Sequence, residues 1–176
     1  TNALTAYTDC LSEALLKACS APKSTAGISE TVAFLLTCGA KPFHQTAGWN
    51  AVHHACRNGN EKVLEKLLSF GGSESVLKLE ASTPEGFTAL HLVAKHGHSK
   101  CVRLLLRNGA NILAQDKENK TPLDLAKEEF DDTDSSTFEE QSTLRELQAA
   151  GSVFWSHSSR ANKLYGADRY SDARQA

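Results

Sequence analysis

Residues 86–111 read GFTALHLVAKHGHSKCVRLLLRNGAN, two short amphipathic stretches on either side of Gly97. Leu90, Val93 and Ala94 share one helical face in the first stretch; Val102, Leu105 and Leu106 share one in the second. Gly109 follows the second stretch, where a left-handed C-terminal cap is expected. Helices this short and this narrowly apolar do not hold together alone in water. The pattern therefore predicts a helix pair that must be packed between neighbours.

The neighbours are present. Residues 48–72, GWNAVHHACRNGNEKVLEKLLSFGG, repeat the order, with Gly48, Val52, His53, Ala55, Gly59, Leu67, Leu68 and Gly71 in matching places. NKTPLDLAKEE starts a further copy at Asn119, and Leu123 lies 33 residues after Leu90. A worn copy stands at the start, EALLKAC at 13–19 and GISETVAFLLTCGA at 27–40. Spacing is longer between the early copies: 37 residues from Leu15 to Val52 and 38 from Val52 to Leu90. The extra residues fall in the turn at 20–26 and in the loop at 73–83. After Lys127 the loop is longer by about nine residues, if Leu144, Leu147 and Gly151 belong to the last helix.

This pattern resembles the ankyrin repeat family, whose period is about 33 residues with a TPLHxA-type helix start. The residues that carry the resemblance are TALHLVA at 88–94, TPLDLA at 121–126, NAVHHA at 50–55 and the LLLRNGA ending at Ala110. The likeness covers residues 11–151. It implies an all-α solenoid of about four stacked helix–turn–helix repeats with finger loops, spanning roughly 11–47, 48–85, 86–118 and 119–151. Residues 1–151 are then one repeat domain and 152–176 a C-terminal tail. Phe154 and Trp155 are expected to cover the open end of the stack.

The resemblance further implies a non-catalytic module, an adaptor or scaffold that needs no cofactor. Its partner is expected to be another protein or peptide, held by the finger loops and the inner helices of the concave face. Carried over by position, that surface holds Trp49, Arg57 and Asn58 in the second repeat. The third repeat adds Glu85, Phe87, Lys95 and His96, and the fourth adds Lys117, Lys120, Glu128 and Glu129. Trp49 and Phe87 occupy the same finger place, directly after the turn glycine. Aromatics beside cations have the composition of a binding hot spot; packing back over the finger is the other reading, and both stay open. The family's position for a histidine that bonds the adjoining finger falls on His53 and His91.

The 176 residues include 21 acidic and 19 basic side chains, a balance that argues against a general nucleic-acid binder. That balance hides a segregation, because residues 128–150 hold 8 acidic groups and one basic group. The acidic stretch 127–141 reads as a solvated loop, with a phosphorylation-tuned docking site at Thr133, Ser135 or Ser136 as the sharper alternative. No apolar run reaches the roughly 18 residues of a membrane span, and a monomer is the expected state.

Candidate chemistry is thin. Five cysteines without a CxxC pair suggest a reducing compartment, the cytoplasm or the equally reducing nucleus. Seven histidines show no four-ligand metal spacing. A Cys56–His54 pair lacks a third orienting group. Methionine is absent, so an excised piece of a longer protein is expected. This motivates the alternative function, a targeting or regulatory ankyrin domain of a larger enzyme or channel.

Overall fold

The computed structural model describes residues 2–22, 27–70, 79–130 and 137–158, and the side chains of those between 6 and 151. Eight helices make up its regular structure among these residues: α1 (Asn2–Ser20), α2 (Ile28–Thr37), α3 (Ala51–Arg57), α4 (Glu61–Phe70), α5 (Ala89–Lys95), α6 (Ser99–Arg107), α7 (Pro122–Phe130) and α8 (Phe138–Ser158). They pair as α1–α2, α3–α4, α5–α6 and α7–α8. The odd-numbered helices also pack in order α1, α3, α5, α7, and the even-numbered ones in order α2, α4, α6, α8. Two parallel layers result, the stack expected of short helices that cannot bury their apolar stripes alone.

The residues that share helical faces in the sequence are the buried ones. Leu90, Val93 and Ala94 of α5, and Val102 and Leu105 of α6, have at most 1% of their surface exposed. Val52, Ala55 and Cys56 of α3 and Val63, Leu64 and Leu67 of α4 are equally enclosed. Leu106 differs and is only half-buried, packed on the rim of the core. Cys19, Cys56 and Cys101 are buried, so these thiols act as small apolar side chains. Burial pushes the Cys19 thiol up to about 12, the opposite of an activated nucleophile.

The first helix departs from the repeat pattern. α1 begins at Asn2, well before residue 11, because no glycine or proline interrupts residues 2–20. Ser12 on this helix is buried; its hydroxyl donates to the Thr8 carbonyl at 2.7 Å and accepts from the Lys41 N–H at 3.0 Å. Gly151 lies inside α8. The expected tail contact of Phe154 and Trp155, the sites Thr133, Ser135 and Ser136, and the residues after 158 fall outside the described side chains.

Finger geometry rests on residues with positive φ. Gly48 and Gly86 precede Trp49 and Phe87 with φ of 81° and 92°. A Cβ on Gly48 would lie 2.7 Å from Pro84 of the next finger, and one on Gly86 2.8 Å from the Lys117 backbone nitrogen. These two glycines thus serve both turn geometry and the close stacking of fingers. In the fourth repeat Asn119 takes the same place with φ 60°, a conformation that asparagine tolerates better than most residues.

Candidate interaction surface

The inner helices α3 and α5 each start on a cap that orients a buried histidine. Asn50 accepts from the His53 N–H through Oδ1 at 2.9 Å, and the Asn50 N–H donates to His53 Nδ1 at 3.2 Å. His53 Nδ1 is therefore an acceptor, Nε2 carries the proton, and Nε2–H donates to the Ala81 carbonyl at 2.9 Å. One repeat on, the Thr88 N–H donates to His91 Nδ1 at 3.2 Å and His91 Nε2–H donates to the Lys120 carbonyl at 3.1 Å. Each imidazole thus ties its own helix start to the following finger, as the family position implies. Both rings are buried.

Burial holds the imidazoles of His53 and His91 below their ordinary value of 6.5, since the charged form loses its water. A proton on Nδ1 would also face the backbone N–H that now donates to it. The unfolded chain binds protons near 6.5 and the folded chain resists them, so stability rises with pH through this window. The contribution is fully present above 6.5 and is lost as pH falls below it. Urea midpoints at pH 7.5 and 5.5 should differ, with the acid midpoint the lower one. Equal midpoints would contradict neutral buried histidines.

The finger aromatics fold back onto the inner helix of their own repeat. Trp49 lies with its ring 5.9 Å from His53 and 5.3 Å from His54, and Phe87 lies 6.1 Å from His91. Both rings are half-buried and pack against the core. Over their outer faces stand cations from the end of the same helix. The Arg57 guanidinium is 5.8 Å from the Trp49 centroid, and Lys95 Nζ is 5.4 Å from the Phe87 centroid.

The other expected residues divide. Asn58 is half-buried and its Nδ2 donates to the carbonyls of Cys19 and Ala21, both at 3.1 Å, tying the second repeat back to the end of α1. Lys120 Nζ bonds Glu128 at 2.8 Å and Glu118 at 2.9 Å, and these carboxylates hold its ammonium above the ordinary lysine range. Glu85, Lys117 and Glu129 are exposed on the finger and helix ends. His96 is exposed as well; partial burial and then the cations His98, Arg57 and Lys95 hold its imidazole down, while Glu129 opposes them.

One regularity was not read from the sequence. Trp49–Arg57, Phe87–Lys95 and Lys120–Glu128 are the same couple in successive repeats, a finger residue and the residue eight places on. The signal was available as an aromatic–cation pairing at constant offset, but no helical period links the two places. Two grooves accompany the surface. One of about 380 Å³, between α1 and α3, is lined by Leu16, Lys17, Thr46 and His54. Another of about 550 Å³ lies in the outer layer, between α6 and α8, lined by Leu106, Ile112 and Ala150.

Among the described residues no three His, Cys, Asp or Glu side chains converge as a metal site, and no helix is long and apolar enough to cross a membrane. The fold and these caps define a stacked-repeat recognition module. Residues 15–116 and 74–133 match the family model described as ankyrin repeats (3 copies), so the chain belongs to the ankyrin repeat family.

Among similar proteins, the inhibitor of Bruton tyrosine kinase from Xenopus laevis is 39% identical over 88 residues, 50% of this chain and 6% of that protein. Ankyrin repeat and SOCS box protein 3 from Homo sapiens is 42% identical over 76 residues, 43% of this chain and 14% of its own length. B-cell lymphoma 3 protein homolog from Mus musculus is 39% identical over 98 residues, 54% of this chain and 22% of its own length. The chain therefore spans less than a quarter of each of these relatives.

Proposed function

We propose that this chain is a non-catalytic interaction module whose concave face and fingers hold a partner protein, with the described surface as the site. The observation that supports this most directly is the half-exposed row of Trp49, Arg57, Phe87 and Lys95, presented by inner helices of a rigid stack. A preorganised surface loses little ordering entropy when a partner docks. Glu85, His96, Lys117, Lys120, Glu128 and Glu129 would supply polar selection around it. Asn58 would act from behind, by fixing the α1 end of the surface. A cytoplasmic location and a monomeric state accompany this reading, as do repeat boundaries near residues 11, 48, 86 and 119.

The relatives favour a second reading of context. Each is more than twice as long as this chain, so the module would serve as the targeting or regulatory part of a larger protein.

The test is capture of interacting proteins by the immobilised chain, wild type against Trp49→Ala/Phe87→Ala. Proteins held by the wild type are expected to be lost by the double variant, while far-UV circular dichroism is unchanged. The rings are half-buried, so the melting temperature should fall by roughly 5–10 °C without loss of cooperativity. Equal capture by a folded double variant would remove the aromatics from the site.

A further inference from the structure

The i, i+8 couple changes character along the stack. In the second and third repeats it is a cation above a ring; in the fourth it is Lys120 bonded to Glu128. Arg57, Lys95 and Glu128 are therefore equivalent positions whose charges run plus, plus, minus. Asn58, His96 and Glu129 follow them in the same register and repeat the trend from neutral to acidic. Among the described residues neither Arg57 nor Lys95 has a carboxylate within ion-pair distance. Lys120, by contrast, has two.

We infer that Arg57 and Lys95, each held over the ring of its own finger, form a two-cation track for an acidic segment of a partner protein. The inference rests on the interaction-module reading above. Ring contact restrains each long side chain before the ligand arrives, which lowers the ordering cost of an ion pair. The ring also excludes water from one side of the cation and strengthens its pull on a carboxylate.

The spacing selects the ligand further. Inner helices that pack side by side stand about 10 Å apart, and a chain in the polyproline-II conformation advances about 3.1 Å per residue and returns to the same face every third residue. Acidic residues three apart thus meet Arg57 and Lys95 in turn. The fitting ligand is a peptide in the polyproline-II conformation with Asp or Glu at i and i+3. A third acid at i+6 would face Glu128 and Glu129, so the ligand carries a neutral or basic residue there. This sets its direction along the stack. Beyond Arg57, the groove between α1 and α3 offers Leu16 and His54 to the next side chain, with Glu13 and Lys17 both in its lining.

The test uses a display library of random linear peptides panned against the whole chain. Recovered peptides are synthesised and titrated by fluorescence anisotropy against wild type and Arg57→Glu/Lys95→Glu. Enrichment of acids three apart, with affinity about tenfold or more weaker on the double variant and falling with salt, is the expected result. Peptides with those acids replaced by lysine should then prefer the double variant, a swap that an unfolded variant cannot produce. Peptides that need Trp49 and Phe87 yet show no acidic bias would overturn the inference and leave the interaction reading intact. Recovery of no peptide would overturn both. Binding of heparin or single-stranded RNA as tight as that of the selected peptides would instead reveal an unselective anion surface and overturn the track.

Discussion

Leu105→Ala should lower the unfolding free energy by roughly 2–5 kcal/mol, with the melting temperature down by roughly 5–20 °C. Leu105 is fully buried on α6, a helix whose neighbours are α4, α5 and α8. Truncation there leaves a cavity that surrounding helices can fill only by shifting together. In a stack held by nearest-neighbour contacts the loss is felt at the junctions on both sides of the third repeat. Leu106 supplies the comparison, since it is the next residue and only half-buried at the outer groove. Leu106→Ala should cost clearly less, and Leu105→Met less than about 1.5 kcal/mol. Urea unfolding of the three variants decides; a larger loss at Leu106 would mean that the helix is rotated from its assigned face.

His91→Ala should cost roughly 2–4 kcal/mol, more than its size suggests. The change removes the acceptor for the Thr88 N–H and the donor to the Lys120 carbonyl at 3.1 Å. It therefore loosens the start of α5 and the fourth finger together. Because Lys120 carries the ion pair to Glu128, the fourth repeat should show faster amide exchange than the second. His96→Ala is the control: that ring is exposed, and such changes usually stay within about 0.5 kcal/mol. Hydrogen exchange that is uniform across the chain, or an equal cost for both variants, would refute the finger-tying role of His91.

Much of the fold was legible because its information is local. The face shared by Leu90, Val93 and Ala94, and that shared by Val102 and Leu105, follow from a period of 3.6 residues and need no partner to be recognised. Gly109 marks the end of α6 for the same reason, and it does adopt a positive φ of 82°. The roles of His53 and His91 were readable through the family likeness, since the carbonyls they bind lie 28 and 29 residues away. The use of Asn58 was not legible. It bonds carbonyls 37 and 39 residues back, and a polar residue after a helix looks the same whether it faces solvent or the previous repeat.

The period, the buried helix faces and the cap positions follow from side-chain spacing along single helices, which is local information. The sequence also carried the family through TALHLVA and TPLDLA. That Trp49 meets Arg57, Phe87 meets Lys95 and Lys120 meets Glu128 emerges only from the packed fold. Those couples depend on a finger that reverses at Gly48, Gly86 or Asn119 and returns its next side chain to the far end of the helix. That return is set by stacking against the next finger, where Gly48 meets Pro84 and Gly86 meets Lys117. Charge order along the concave face is thus written in the sequence but becomes a surface only when the repeats close on one another.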